Sequence, residues 1–162
     1  GLVFQNPDHQ IFAPTVWKEA VLGAENFRLD PDIYQDHTRR LLEKPGLVDR
    51  LQDHPFQLSL GEKRRLNLIS FLCYQPRLLL LDGIFVGQDQ ENAQFLLGLL
   101  IDYVEKGHSV LLVNHMLAYY SRVATRLVFL REGRIAVDRP LREGMAALQE
   151  LGELAYLPGG AL

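Results

Sequence analysis

The sequence predicts an α/β fold with a mostly parallel sheet, flanking helices, an inserted helical region and a C-terminal antiparallel hairpin. Two segments, 77–82 and 109–114, are almost continuously apolar, and strands of this kind are usually buried on both faces. Helix-length segments lie between them, and strands joined by helices form parallel sheets. Residues 12–57, in contrast, carry many charges and no strand pattern, which predicts the helical insertion.

Local signals place the elements of the first half. Thr15 can cap one helix, and Asp30 before Pro31 has the pattern of a second helix start. Ser59 and Glu62 have the spacing of a capping box, which specifies the start of a long helix. The predicted elements are a strand at 1–5 and helices at 16–23, 30–44, 47–52 and 59–74.

The second half alternates strands and helices before it ends in a hairpin. Glu132 and Gly133 form a tight turn between two strand-like segments, which predicts an antiparallel pair. The predicted elements are strands at 77–82, 109–114, 126–130 and 134–138 and helices at 89–106, 116–123 and 140–151.

Composition limits the possible functions. The net charge of −3 and the pI near 5.9 argue against nucleic acid as the main partner. We therefore interpret the basic triplet Lys63, Arg64 and Arg65 as a solvated helix face. The single cysteine, Cys73, lies in an apolar run, which indicates a buried thiol, no internal disulfide and a reducing compartment. No apolar run approaches the roughly 18 residues that would suggest a membrane span.

Three polar residues follow predicted parallel strands, where ligand crevices form: Gln5, Asp82 and His115. Each alone is more often structural, since such an aspartate often caps a helix and such a histidine is often a satisfied packing group. Asp82 supplies a hard oxygen that suits Mg²⁺, and the helix start at Ser59 offers free N–H groups to an anion. Together they predict a site for a phosphate compound and a metal ion.

The order of these motifs resembles the nucleotide-binding domain of ABC transporters, which has a P-loop NTPase-like core. The likeness covers residues 1 to about 150, and residues 1–16 are especially similar to the energy-coupling factor and cobalt-type importers. Gln5 resembles the Q-loop glutamine, and His115 resembles the switch histidine. The family's LSGGQ signature is similar to residues 58–62, its Walker B strand to residues 78–82 and its D-loop to residues 86–89.

The resemblance implies an organisation and a set of roles. Residues 1–162 would form a single partial ABC ATPase domain, with a helical subdomain at 12–75 that carries the signature and an α/β core at 1–11 and 76–162. The catalytic residues would be His115 and Gln5, and the residues that bind the metal would be Asp82 and Gln5. The residues that contact a partner's ATP across a dimer would be Ser59, Gly61, Glu62 and Asp89.

ATP and Mg²⁺ are the implied cofactors of the full-length parent. The implied partners are a second ATP-binding domain, identical or different, and a transmembrane transporter subunit, with no nucleic acid. The implied location is the cytoplasmic face of the cell membrane, as a peripheral subunit. Two interpretations of Phe12, Ala13, Pro14 and Val16 stay open: a groove for the membrane subunit, or ordinary packing.

The sequence departs from the family pattern in three respects. No G-x-x-x-x-G-K-[ST] occurs, so we expect an N-terminally truncated domain and no tight ATP binding by this chain alone. Gly83 stands where the family has the glutamate that polarises the attacking water, so we expect slow hydrolysis, and Gly83→Glu in the parent should raise turnover. Glu62 replaces the signature glutamine and Leu60 a glycine, which we interpret as tolerated variation.

Three hypotheses follow for the function. The first is a fragment of an ATP-hydrolysing transport subunit that couples ATP to substrate import. The second is a degenerate half that completes a partner's ATP site without catalysis, which Gly83 favours. The third is a DNA-maintenance ATPase. The acidic net charge and the absence of coiled-coil heptads argue against it.

Overall fold

The structure, a computed structural model, describes residues 1–114, 120–121 and 123–157. These residues belong to two compact units, Gly1–Val113 and Asn114–Leu162. The predicted switch histidine, His115, and most of the helix predicted at 116–123 lie outside the described residues. No helix among the described residues is both long and apolar enough to cross a membrane.

The first unit contains the predicted parallel sheet, with strand order β1-β2-β3. The strands are β1 (Leu2–Val3), β2 (Leu78–Asp82) and β3 (Ser109–Val113). Leu80 of β2 lies between Leu2 of β1 and Leu111 of β3 in the register. All three strands run in one direction, so the residues that follow β1 and β2 emerge at the same edge of the sheet.

Four α-helices accompany this sheet, and the predicted caps are confirmed. They are α1 (Val16–Asn26), α2 (Pro31–Glu43), α3 (Leu60–Leu72) and α4 (Gln90–Glu105). The Thr15 hydroxyl accepts a hydrogen bond from Lys18 N at 3.2 Å, and Asp30 Oδ1 accepts one from Asp32 N at 3.1 Å. The segment predicted as a helix at 47–52 contains a single 3₁₀ turn, Val48–Arg50.

The core of the helical region is apolar, as the sequence predicts. Side chains from α1, α2, α3 and the loops between them pack together: Val16, Ala20, Leu42, Leu47, Leu58, Leu66 and Ile69. Cys73 is 3% exposed, and burial raises the pKa of its thiol to about 11. The buried thiol that the apolar run predicted is therefore confirmed.

One expectation about the sheet is wrong, because β3 is not buried on both faces. Leu111 and Val113 are 52% and 57% exposed. The alternate residues, Val110 and Leu112, are partly covered, and α4 packs against this strand. The described part of the chain leaves the face that carries Leu111 and Val113 largely open, which an apolar run in the sequence cannot reveal.

The second unit contains the predicted antiparallel hairpin. Its elements are β4 (Arg126–Arg131), β5 (Arg134–Pro140) and α5 (Leu141–Glu150). Glu132 and Gly133 connect the strands with φ of 50° and 75°, the positive values that a two-residue type I′ turn requires. Leu127, Val137, Leu141 and Leu148 form its core.

Candidate functional site

The first turn of α3 has the geometry of a capping box. Ser59 N donates to Glu62 Oε2 at 2.7 Å, and Glu62 N donates to Ser59 Oγ at 3.3 Å. Within the described residues, no acceptor is found for the N–H groups of Leu60 and Gly61. These free N–H groups, at the positive end of the helix dipole, form a surface that favours an anion.

The carboxylate of Glu62 is held by an arginine that the sequence did not single out. Arg50 Nη1 lies 3.4 Å from both Glu62 oxygens, and Arg50 Nε lies 2.8 Å from Asp53 Oδ2. Partial burial raises the pKa of Glu62, but the hydrogen bonds with Ser59 and the charges of Arg50 and Arg65 outweigh it, so the pKa lies below its ordinary value. Glu62 is thus an ionised cap with its charge partly neutralised. No spacing rule would have connected it with Arg50.

Gln5 and Asp82, which lie at the ends of the neighbouring strands β1 and β2, are close together. They border one cleft of about 570 Å³, which Leu60 at the start of α3 also borders. The residues that line it are Phe4, Gln5, Asn6, His9, Leu60, Arg64 and Asp82. The ends of β1 and β2 and the first turn of α3 therefore border a shared space.

The donor set of this cleft fits Mg²⁺ with a phosphate ligand. The side chain of Asp82 is exposed and makes no hydrogen bond or ion pair with any described residue. No group of three acidic, histidine or cysteine side chains that could hold a metal occurs among the described residues. Mg²⁺ commonly takes only one or two carboxylates and completes its shell with water and phosphate oxygens, so one free carboxylate beside an amide meets its needs.

Gly83 adopts a backbone conformation that disfavours other residues. Its φ is +60°, and a Cβ atom built there would lie 3.0 Å from Gln5 Cγ. Gly83 N donates to Val113 O at 3.1 Å, which fixes the turn to the end of β3. Gly83 therefore suits the backbone conformation of its own turn, which the sequence does not reveal, and its correspondence to the family's glutamate stays a prediction.

Asp89 caps α4 at its N-terminus. Its Oδ1 accepts from Asn92 N and its Oδ2 from Asn92 Nδ2, both at 2.8 Å. These two bonds from Asn92 lower the pKa of Asp89, with a smaller contribution from the charge of Arg65. The exposed carboxylate thus has a local structural role, and its role at a dimer interface stays a prediction.

Comparison with known proteins decides the family. The family described as ABC transporter matches residues 1–85, just over half of the chain. The chain belongs to the ABC transporter family. Members of this family use ATP and Mg²⁺ in general.

Two of the relatives are energy-coupling factor proteins. The chain is 32% identical to the energy-coupling factor transporter ATP-binding protein EcfA of Methanothermobacter thermautotrophicus, across 85% of this chain and 44% of that protein. It is 33% identical to EcfA2 of Symbiobacterium thermophilum, across 83% of this chain and 47% of that protein. Among the relatives compared, the chain spans between 26% and 56% of the relative's length.

Solved structures share the fold. An ATP-binding subunit of an ABC transporter matches with a TM-score of 0.82 and 24% identity over 93% of this chain and 61% of that chain. The cbiO1 protein of Clostridium perfringens, described as part of the ABC transporter complex cbiONQ, matches with a TM-score of 0.73 and 24% identity over 95% of this chain and 62% of that chain. The α/β fold class predicted from the sequence is confirmed.

The interpretation of the basic triplet in the signature helix as a solvated face is wrong. Arg64 and Arg65 are each 8% exposed. Lys63 forms an ion pair with Asp8 at 2.8 Å and lies 4.7 Å from the centre of the Phe56 ring. The triplet packs inward because neighbouring loops supply carbonyl, amide and carboxylate acceptors, and these partners are distant in the sequence.

Arg64 joins α3 to the two loops that follow β1 and β2. Its Nε donates to Gln5 O at 3.4 Å, and its Nη1 donates to Val86 O. Gly87 leaves space for this side chain, since a Cβ atom there would lie 3.0 Å from Arg64 Nη1. Arg64 is thus a site residue that sequence reasoning missed.

The candidate groove for a membrane subunit is only partly exposed. Phe12 is 74% exposed and Pro14 is also exposed, but Ala13 and Val16 are 6% and 0% exposed and belong to the core. The buried carboxylate of Glu19 accepts from Phe12 N at 3.1 Å and from Ala13 N at 2.8 Å, which holds this segment in place. Ordinary packing is therefore correct for Ala13 and Val16, and a contact surface stays a proposal for the other two residues.

Proposed function

We propose that the protein carrying this chain is the ATP-binding subunit of an energy-coupling-factor-type importer, in which ATP is bound between two such domains. The observation that carries the proposal is the cleft in which the amide of Gln5 lies beside the free, exposed carboxylate of Asp82. The family match and the EcfA relatives support the coupling to transport.

Each predicted site residue has a role in this proposal. Asp82 holds Mg²⁺ through water, and Gln5 adds an amide oxygen and links the core to the helical region. The Ser59 hydroxyl and the free N–H groups near Gly61 receive the terminal phosphate of ATP held by the second domain, and Glu62 holds this helix start in place as its cap. His115 donates a hydrogen bond to a terminal phosphate, and Asp89 lies at the interface between domains.

The proposed partners are a second ATP-binding domain and a transmembrane subunit, with the protein peripheral to the cytoplasmic face of the membrane. Phe12 and Pro14 are the exposed residues that support a contact with the membrane subunit. The geometry of the basic triplet supports the absence of a nucleic-acid partner, because Arg64 and Arg65 face inward.

The second candidate is a degenerate half that completes a partner's ATP site but does not catalyse. The conformation of Gly83 favours it, because φ of +60° and the close approach of Gln5 leave little room for a glutamate. In this candidate the first turn of α3 still binds the partner's ATP, whereas Asp82 is not needed for ATP hydrolysis.

Ser59→Ala and Asp82→Asn in the complete protein, assembled with its second ATP-binding domain, separate the two candidates. The importer proposal predicts that both variants lower ATP turnover, by about 10-fold or more. The degenerate half predicts a loss with Ser59→Ala alone. Ser109→Ala and Asp102→Asn, both at exposed positions, are the matched controls. Full turnover in both test variants would contradict both candidates.

A further inference from the structure

The amide of Gln88 connects two segments that are far apart in the sequence. Gln88 Nε2 donates to Gly61 O at 3.3 Å, and Gln88 Oε1 accepts from Arg65 Nη1 at 3.0 Å. Gln88 belongs to the segment 86–89 after β2, and both of its partners lie in the first turns of α3. Because the donor and the acceptor of one amide are both engaged, the orientation of this side chain is fixed.

The environment of Arg65 makes the acceptor important. Arg65 is 8% exposed, and its Nε is buried without a partner among the described residues. Within the described chain, Gln88 Oε1 is the hydrogen-bond acceptor found for this side chain. A buried cation that loses its acceptor bears the full cost of desolvation, so the Arg65–Gln88 contact is expected to persist.

The Nε2 group of the same amide donates to Gly61, the residue with the least restrained backbone at the start of α3. Gly61 has no side chain to restrain its peptide groups, and its N–H is one of the free donors at the start of α3. Gln88 holds the carbonyl of this residue from outside the helix. The Arg64 contact with Val86 O ties the same helix to the same segment at a second point.

We propose that Gln88 is a positioning residue for the ATP site, which holds the first turn of α3 and the segment 86–89 in one arrangement. The inference rests on the proposed function, in which both surfaces are offered to ATP held by the second domain. Gln88 itself touches no nucleotide in this account. It holds the Gly61–Glu62 peptide, which directly follows the free Gly61 N–H, and Asp89 follows Gln88 directly in the chain.

The test is Gln88→Leu in the complete protein assembled with its second ATP-binding domain. Leucine has nearly the same size but neither hydrogen-bonding group, so Gly61 O and Arg65 Nη1 both lose their contacts with the segment 86–89. We expect the KM for ATP to rise about fivefold, the effect of one typical hydrogen bond, with a smaller change in kcat. Gln94→Leu, at an exposed position of α4, is the matched control and should leave both constants unchanged.

Gln88→Glu separates the two bonds and guards against a folding defect. Glutamate keeps an acceptor for Arg65 but has no donor for Gly61 O. We expect its melting temperature to match that of the parent protein while its KM for ATP still rises. A KM that stays at the parent value in this variant, or a Gln88→Leu variant with a lower melting temperature and an unchanged KM, would overturn the positioning role.

Ser59→Ala in the same assay distinguishes the two levels of failure. If Ser59→Ala raises the KM and both Gln88 variants do not, the positioning role is wrong and the proposed function stands. If none of the three variants changes the kinetics, the proposed function fails and the role of Gln88 fails with it.

Discussion

Single residues set the chemistry of this site through backbone conformation as well as side-chain type. Gly83 has φ of +60° and little space above its Cα, and Gly87 has φ of +72° beside the guanidinium of Arg64. A left-handed conformation costs a residue with a Cβ about 1–2 kcal/mol. Gly83 is thus the residue that the conformation of its turn favours.

Gly83→Ala is expected to destabilise the complete protein by about 1–2 kcal/mol, since alanine adopts positive φ poorly and its Cβ meets Gln5. Urea unfolding measures the effect. Gly107 has φ of +88° and no atom within 4 Å of a Cβ built there. Gly107→Ala is therefore the control that measures the cost of positive φ without a contact. An unchanged unfolding midpoint for Gly83→Ala would show that the turn tolerates a side chain. Gly83→Glu would then remain a fair test of whether a glutamate raises turnover.

Glu62 gives the stability a specific dependence on pH. Its pKa is lower in the folded protein than in the unfolded chain, so its contribution is complete above the unfolded value of about 4.3 and is lost as the pH falls through the folded value. We expect the free energy of unfolding to fall less in Glu62→Gln than in the parent protein when the pH is lowered from 6 to below the folded pKa of Glu62. Unfolding curves across pH measure it, with the exposed Glu105→Gln as control. Parallel losses in parent and Glu62→Gln would contradict the role of the cap.

Elements were predictable where the signal is local. The caps at Thr15, Asp30 and Ser59 and the turn at Glu132 and Gly133 each lie within a few residues of the groups they bind, so the sequence alone located them. The parallel order followed from apolar strands separated by helices.

The features that the sequence missed depend on distant partners. Arg64 and Arg65 look like a solvated face until the loops after β1 and β2 supply acceptors for them. The open face of β3 is another case, because burial depends on what packs above a strand and an apolar run does not report it. The pairing of Arg50 with Glu62 likewise joins a 3₁₀ turn to a helix start.

At the scale of α4, two variants of Asp89 separate capping from any interface role. Asp89→Ala removes the bond from Asn92 N, and we expect the melting temperature to fall by roughly 3 °C. Asp89→Ser keeps a capping oxygen, so it should retain most of the stability. If Asp89→Ser is stable yet impairs ATP turnover, the carboxylate acts beyond its helix. If both variants melt at the parent temperature, the cap contributes nothing measurable.

At the scale of the whole molecule, the proposed function divides the chemistry of the ATP site between two domains. The cleft with Gln5 and Asp82 offers a metal-binding oxygen, and the first turn of α3 offers free N–H groups. These groups favour opposite partners, a cation and an anion, and Mg²⁺ with a triphosphate supplies both. Nucleotide shared between two domains therefore accounts for both surfaces.

Sedimentation velocity of the complete protein with its second ATP-binding domain, with and without ATP and Mg²⁺, tests this claim most directly. Under conditions in which the domains separate without nucleotide, we predict that ATP and Mg²⁺ bring them together. Ser59→Ala should weaken this ATP-dependent association, whereas Ser109→Ala should not. Equal association with and without nucleotide, or full ATP-dependent association in Ser59→Ala, would contradict the account.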